Sequence, residues 1–295
     1  MQGIDLHVHS VCSDGSYTPT ELVEYAIKKN LKAFALTDHD TIDGLAEAFE
    51  AAKGKPLEVI PGIELSTEYL LENAYGQKKG IEVHIVGLFL DYQNQEFLDQ
   101  LTYFQDSRDR RNEKMCRNLQ EAGIDITFEK LQEENPGAVI TRAHYASYML
   151  KYGYVKTREQ AFAKYLGDHT PYFVGREKIS PVQAIELIRK AGGVAILAHP
   201  LLYHLNDEDL DGLVSYCKEH GLQGIEVYYS THTPAGERFV RRIAEKFELL
   251  MSGGSDFHGV NKEKLDLGTG YGKLFVPEDI LEPIRRAAGN YEGTV

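Results

Sequence analysis

The chain has 295 residues and a formal charge of −13, with 42% hydrophobic and 26% charged residues, a composition able to bury a core. That charge excludes a long nucleic-acid surface held through phosphate contacts, but not a small anionic substrate, because metal ions inside a site can reverse the local field. Cys12, Cys116 and Cys217 are too few and too scattered for a disulfide framework.

The opening residues "MQGIDLHVHS" lack a basic stretch followed by an apolar one, so no signal peptide is expected. No apolar run is long enough for a membrane span. A cytoplasmic protein without a membrane partner is the expectation. "IDLHVH" predicts a first strand. "YTPTELVEYAIKKN" predicts a helix in which Thr18 caps, Pro19 takes the first turn and Glu21 completes a capping box. Leu22, Val23, Ala26 and Ile27 make its apolar stripe, and Asn30 ends it. "KAFALTDHD" follows as a second strand, completing a βαβ unit of the kind that builds parallel sheets. "DTIDGLAEAFEAAKG" predicts a helix. "LEVIPGIEL" is a third strand, with Glu64 at its end beside a Pro61–Gly62 turn, and "GIEVHIVGLFL" is a fourth.

The rhythm then changes. Residues 99–178 carry helical patterns and no strand: "LDQLTYFQDSRDRRNEKMCRNLQEAG", ending at Gly123, then "TRAHYASYMLKYG" and "TREQAFAKYLG". This predicts a helical insertion that divides a barrel into 1–98 and 179–295. The insertion has 13 Lys and Arg against 12 Asp and Glu, so the acidity belongs to the remainder. Beyond it, "SPVQAIELIRKAGG" repeats the capping signal with Ser180, Pro181 and Gln183 and feeds the strand "VAILAHP". "LDGLVSYCKEHG" with "LQGIEVYYS", and "TPAGERFVRRIAEKF" with "ELLMSGGSDFHG", add two helix–strand pairs. The alternation implies an α/β barrel or a doubly wound sheet.

Residues two apart on a strand share a face, so His7 and His9 project together and could share one metal ion. Alone, such a pair is as readily two satisfied core histidines. The other strands shift the balance. His39 follows the second strand in "TDHD", Glu64 ends the third, His84 lies in the fourth, His199 ends "LAHP", and Asp256 and His258 stand in "SDFH". Parallel α/β folds gather catalytic groups at the carboxyl ends of their strands. With Asp14 the pool is nine ligands. A catalytic zinc takes about three protein ligands, so nine, with Glu64 bridging, could hold three ions. Mixed imidazole and carboxylate donors suit Zn, Mn or Fe. Asp38 and Asp40 are weaker ligand candidates, read at least as well as supporting or helix-capping residues.

"DLHVHSVCSDG", "TDHD", "GIE", the His84 strand, "AHP" and "SDFH" together resemble the PHP (polymerase and histidinol phosphatase) phosphoesterases, over essentially the whole chain. The likeness is greatest to members that act as 3′,5′-nucleoside bisphosphate phosphatases and short-RNA 5′ exonucleases. The resemblance implies a distorted (β/α)7 barrel with a trinuclear centre of three divalent ions. It implies one ion on His7, His9, Glu64 and Asp256, a second on Glu64, His84 and His199, and a third on Asp14, His39 and His258. It also implies hydrolysis of a phosphomonoester by a metal-bound hydroxide held by Glu64, Asp256 and His199, on a small phosphorylated substrate such as a nucleotide or an RNA 5′ end.

Arg142, His144 and Arg176 in the insertion are candidates for gripping substrate phosphate, since an Arg fork suits that task; solvated helix charge is the plain alternative. Lys164 and a base-stacking role for the Tyr residues of "YMLKYGYV" are weaker candidates. Cys12 reads as a buried small side chain. Competing functions are a histidinol-phosphate-type phosphatase, an amidohydrolase-type barrel cleaving C–N bonds, and a metal-stabilised interaction module. No lysine stands at a strand end to bridge metals as in the amidohydrolase type, and no ligand is missing as an inert module would allow.

Overall fold

The architecture follows from short, apolar strands that need cover on both faces. The computed structural model describes residues 3–72, 76–167, 169–175 and 179–289. β1 (Gly3–Val8) leads into α1 (Pro19–Lys28). α1 carries the expected Thr18–Glu21 capping box and Pro19, and Asn30 just beyond it is left-handed at φ 55°. β2 (Ala33–Leu36) pairs parallel to β1, and α2 (Leu45–Ala52) is shorter than its sequence pattern suggests. Leu22, Val23 and Ala26 of α1 pack with Phe34, Leu36, Leu45 and Ala48 in one apolar cluster, so a stripe at helical spacing meets alternate residues of a strand.

β3 (Glu58–Glu72) pairs parallel to β2 from Glu58 to Pro61 and then antiparallel to β4 (Lys78–Leu88) from Gly62 onward. Two sequence expectations are corrected here. Pro61 and Gly62 lie within β3 rather than in a turn, and Glu64 is mid-strand rather than at a strand end. The reason is that β3 runs on past the barrel as a hairpin arm with β4. A hairpin also makes β4 antiparallel, so His84 lies opposite Ser66, near where β4 enters the barrel rather than at its carboxyl end. Pro61 donates no N–H, and it stands where the pairing with β2 stops.

α3 (Gln95–Glu121), α4 (Phe128–Glu134), α5 (Arg142–Lys151) and α6 (Arg158–Ala161) follow, the last running into a π-helical turn over Phe162–Leu166. The first turns of α3 belong to the barrel, since Phe97 and Leu101 pack with Ile63, Val83 and Ile185. Its later turns join a separate apolar cluster with Ile126, Leu131, Tyr145, Met149 and Leu166. Gly123 ends α3 at φ 83°, as its position suggests. α4 carries no expectation from the sequence; at seven residues it is too short for a periodic signal.

α7 (Pro181–Lys190), with its Ser180–Gln183 capping box, feeds β5 (Val194–Leu197), which is antiparallel to β4. α8 (Asp207–Glu219), β6 (Gly224–Tyr229), α9 (Pro234–Lys246) and β7 (Leu250–Gly254) continue the alternation with parallel pairing. β8 (Val276–Pro277) pairs antiparallel to β1, and α10 (Leu281–Ala287) packs Leu281 and Ile284 against Ile4, Leu6 and Ile196.

The strand order is β7-β6-β5-β4-β3-β2-β1-β8. Past their ends, β7 and β1 meet again: Asp256 N–H donates to His7 C=O at 2.9 Å, and His9 N–H donates to Phe257 C=O at 3.0 Å. The sheet is thus a nearly closed, distorted barrel with a helical insertion between β4 and β5. No helix among the described residues is long and apolar enough to cross a membrane. Cys12, Cys116 and Cys217 are all free thiols; Cys12 is half-buried rather than buried as its sequence reading has it, and desolvation pushes its thiol up to about 11.

Candidate metal centre

The barrel mouth places Glu64 at the middle of five imidazoles. Its Oε2 lies 3.1 Å from His7 Nε2, 3.2 Å from His9 Nε2 and 3.2 Å from His39 Nδ1. Its Oε1 lies 2.9 Å from His84 Nδ1 and 3.0 Å from His199 Nε2. His7 and His9 share a face as the strand period requires, with ring centroids 5.1 Å apart. Asp256 Oδ1 closes on the pair, 3.3 Å from His9 Nε2 and 3.7 Å from His7 Nε2. Asp14 Oδ1 is 3.1 Å from His258 Nε2 and 3.9 Å from His39 Nε2.

Three groups of these donors lie close enough to share an ion: His9, Asp14, His39 and His258; His7, His9 and Asp256; and His39, Glu64 and His84. His9 and His39 thus reach more than one group, while His199 reaches the centre through Glu64. All nine candidates converge on one region, although they come from β1, β3, β4 and the loops after β1, β2, β5 and β7.

The backbone explains the convergence. Glu64 N–H donates to Asp38 C=O at 3.1 Å, and Asp40 N–H donates to Glu64 C=O at 3.0 Å, so β3 clamps the "TDHD" loop with His39 against Glu64. Asp38 accepts from Ser10 N–H, Ser10 Oγ–H and Ser13 Oγ–H at 2.6–2.7 Å, tying the turn before Asp14 to the same loop. Asp40, which accepts from Ser66 N–H, pairs with Arg108 of α3. Asp38 and Asp40 therefore support the loops, as their sequence positions suggest. Asp40, His199 and Asp256 sit at positive φ, 53°, 27° and 58°. Side chains other than glycine pay a steric cost there, and such positions cluster at functional sites.

The electrostatics suit cations. Burial alone would raise the Glu64 carboxyl, yet the imidazoles of His7, His39 and His84 outweigh it and hold Glu64 well below the usual carboxylate range. Asp14 is held down in the same way by His258 and His39, and Asp256 by Lys262, His258 and His7. Burial depresses His39 to about 3, keeping it neutral and able to donate a lone pair. His7 Nε2, both ring nitrogens of His9, Asp14 Oδ1, His39 Nδ1 and His199 Nδ1 are buried without a well-formed hydrogen bond among the described residues. Buried polar atoms are seldom left so. Imidazoles and ionised carboxylates converging in one buried place, several of their polar atoms without a well-formed hydrogen bond among the described residues, are the donor set that divalent ions require, so the residues present fit such a centre.

Several contributors escape sequence reasoning. Glu226 in β6 accepts from His7 Nδ1 at 2.9 Å and from His199 N–H at 2.6 Å. Tyr229 donates to Asp256 Oδ2 at 2.6 Å, and the Lys262 ammonium reaches the same oxygen. Glu226 stands in "GIEVYY" and had a signal available: like Glu64 in "GIE", it interrupts an otherwise apolar strand.

Beside the centre opens a cleft of about 190 Å³ lined by Asp14, His39, His84 and Ser66 together with insertion residues. Arg142 lines it, donates to Glu82 Oε2 at 3.1 Å and lies over the Phe173 ring. Arg108 and Arg111 of α3, buried to 4% and 8% exposure, line it too and were not singled out from sequence. His144 has another place: its Nδ1 accepts Thr141 N–H at 2.9 Å, closing the capping box of α5, and Thr141 Oγ–H donates to Asp14 Oδ2. Arg176 lies outside the described residues. Lys164 falls in the π-helical turn, and Tyr148 and Tyr152 pack against each other with tilted rings, 4.4 Å between centroids and 41° between planes.

A nearly closed α/β barrel with an imidazole–carboxylate centre at its mouth and an arginine-lined cleft above it defines a metal-dependent hydrolase. Residues 5–255 match the PHP domain, and the chain belongs to that family. It is 38% identical over 254 residues, 86% of this chain and 89% of the relative, to a 5′-3′ exoribonuclease of Haemophilus influenzae. It is 34% identical over 270 residues, 91% of each chain, to a 3′,5′-nucleoside bisphosphate phosphatase of Chromobacterium violaceum. Among solved structures, one described as an amidohydrolase from Chromobacterium violaceum, with bound sulfate and no metal, superposes with a TM-score of 0.83 at 31% identity, covering 97% of this chain and 96% of its own. The family and both relatives stand on phosphoester chemistry, and this chain is a metal-dependent hydrolase acting on phosphoester bonds.

Proposed function

We propose that the enzyme removes a phosphate from a small nucleotide, a 3′,5′-nucleoside bisphosphate in the first place, at a centre of three divalent ions. The observation that carries this reading is the adjacency of Glu64, ringed by five imidazoles, to a cleft that Arg108, Arg111 and Arg142 also line. His7, His9, Glu64 and Asp256 would hold one ion, Glu64, His84 and His199 a second, and Asp14, His39 and His258 a third. Such ions, of Mn, Fe or Zn, would supply a hydrolytic nucleophile at neutral pH and neutralise charge on the phosphoryl oxygens.

The chain's own residues do the rest. Glu226 accepts from His7 Nδ1 and leaves Nε2 facing Glu64, and Glu82 lies 3.3 Å from His84 Nε2 and leaves Nδ1 facing Glu64, an arrangement that orients the nitrogens beside Glu64 toward a cation. The arginines give the second phosphate of the substrate its counter-charge on an otherwise acidic protein. The sulfate bound to the Chromobacterium neighbour supports an oxyanion site, since sulfate and phosphate share a tetrahedral shape.

Trimming of short RNA from the 5′ end is a second reading, favoured by the Haemophilus relative. A rate panel with Mn-loaded enzyme separates the choices: adenosine 3′,5′-bisphosphate, histidinol phosphate and a short 5′-phosphorylated RNA. The bisphosphate should give the highest kcat/KM. Preference for histidinol phosphate would overturn the reading, and preference for the RNA would replace it with the second.

A further inference from the structure

The helical insertion supplies two phenylalanines that its own packing does not use. Ala161, Tyr165, Leu166, Tyr172 and Val174 all join the insertion's apolar cluster. Phe162 and Phe173, interleaved with them in sequence, do not. Both instead line the cleft beside the candidate metal centre. Phe162 is 36% exposed and joins none of the apolar clusters among the described residues. It opens the π-helical turn, whose five-residue bond runs from Gly167 N–H to Phe162 C=O at 2.9 Å. One extra residue in a turn re-aims the side chains around it, and such turns are frequent at functional sites. Phe173 carries the Arg142 guanidinium over its ring, 5.5 Å from the centroid, so the aromatic and phosphate-binding parts of the cleft are joined.

We propose that Phe162 and Phe173 form the nucleobase subsite of this cleft, stacking the base of the nucleotide whose phosphates meet the arginines and the metal centre. The proposal rests on the nucleotide reading above and adds the element that separates nucleotides from other phosphate esters. A flat heteroaromatic ring is the occupant that suits an aromatic lip next to arginines and phosphate donors. Stacking tolerates any base, because every base has a π-face. The subsite therefore selects for the presence of a base and not for its identity.

The test compares kcat/KM for adenosine 3′,5′-bisphosphate with that for ribose 3,5-bisphosphate, which lacks the base. Wild-type enzyme should prefer the base-bearing substrate. In Phe162→Ala and Phe173→Ala the ratio of the two values should fall about tenfold, within the range of losing one base–aromatic stack, chiefly through KM. Phe162→Tyr, which keeps the ring, should hold the wild-type ratio. Uridine and guanosine bisphosphates should show the same loss as adenosine. A ratio unchanged in both alanine variants, with their thermal unfolding intact, overturns the subsite while leaving the nucleotide reading standing. Wild-type enzyme that hydrolyses neither bisphosphate overturns both.

Discussion

Glu64 and Glu226 divide the work of two carboxylates around one imidazole. Glu64 faces the Nε2 side of His7 at 3.1 Å, while Glu226 accepts from Nδ1 at 2.9 Å. Replacing Glu64 with Gln keeps the volume but removes the charge that would lie between cations. Glu64→Gln should lose more metal than any single His→Ala variant among the nine candidates, measured as metal equivalents after gel filtration. Full retention of metal and turnover would show that Glu64 bridges nothing. Glu226 makes a subtler contribution, because its two oxygens accept from His7 and from His199 N–H. An amide has only one acceptor oxygen, so Glu226→Gln must lose one of these bonds. Metal affinity should weaken about 10- to 100-fold, the range for partners that orient a ligating imidazole. A competition titration with a metallochromic chelator reads this directly; unchanged affinity would leave Glu226 a purely structural group.

At the scale of elements, the seam between β1 and β7 brings His7 to the residues around Asp256. Gly254 ends β7 with its α-carbon so near β1 that an added Cβ would fall 2.4 Å from both the amide nitrogen and the Cβ of His7. Backbone cannot yield as a flexible side chain does. Gly254→Ala should destabilise the fold by roughly 1–3 kcal/mol, the usual cost of overpacking, with a lower midpoint in urea and reduced metal content as His7 is displaced. Wild-type stability in that variant would mean the seam is looser than its geometry. Helix ends were the most legible elements, because a cap is written in adjacent residues: Thr18 with Glu21 and Ser180 with Gln183 form the boxes their spacing announces. The direction of β4 was not legible. "LEVIPGIEL" and "GIEVHIVGLFL" look alike as apolar runs whether a hairpin or a helix joins them. The hairpin moves Glu64 to mid-strand and His84 to the start of the barrel section of β4.

For the whole molecule, the central question is what holds so many charged and polar groups in one buried place. Asp14, Glu64, Asp256 and Glu226 are all buried among the histidines, and an unpaired buried charge is costly. Ions bound to the native centre and not to the unfolded chain stabilise the fold by mass action. Treatment with a chelator should therefore lower Tm by several degrees, and added Mn should restore it in a concentration-dependent way. A Tm indifferent to chelator would detach the centre from stability. If the centre holds three ions as proposed, His39→Ala should lower the metal content by about one equivalent and cut turnover by orders of magnitude while the barrel remains folded. Unchanged metal and rate would remove the trinuclear reading.

By itself the sequence determined the pool of candidate ligands. His7 and His9 share a face through the strand period, "TDHD", "AHP" and "SDFH" place imidazoles and carboxylates just past strand ends, and "GIE" marks a carboxylate in an apolar strand, because those facts are local and periodic. Only the tertiary structure decided how the pool is shared out. Glu64 meets five imidazoles, Glu226 joins from β6, and Arg108 and Arg111 from α3, Phe162 from the π-helical turn and Phe173 from the loop beyond it reach the cleft. His144, next but one to Arg142, turns instead to cap its own helix. These placements depend on which strands pair, on the antiparallel turn of β4, and on where the insertion packs. Each is set by long-range burial of apolar surface, which no short stretch of residues encodes.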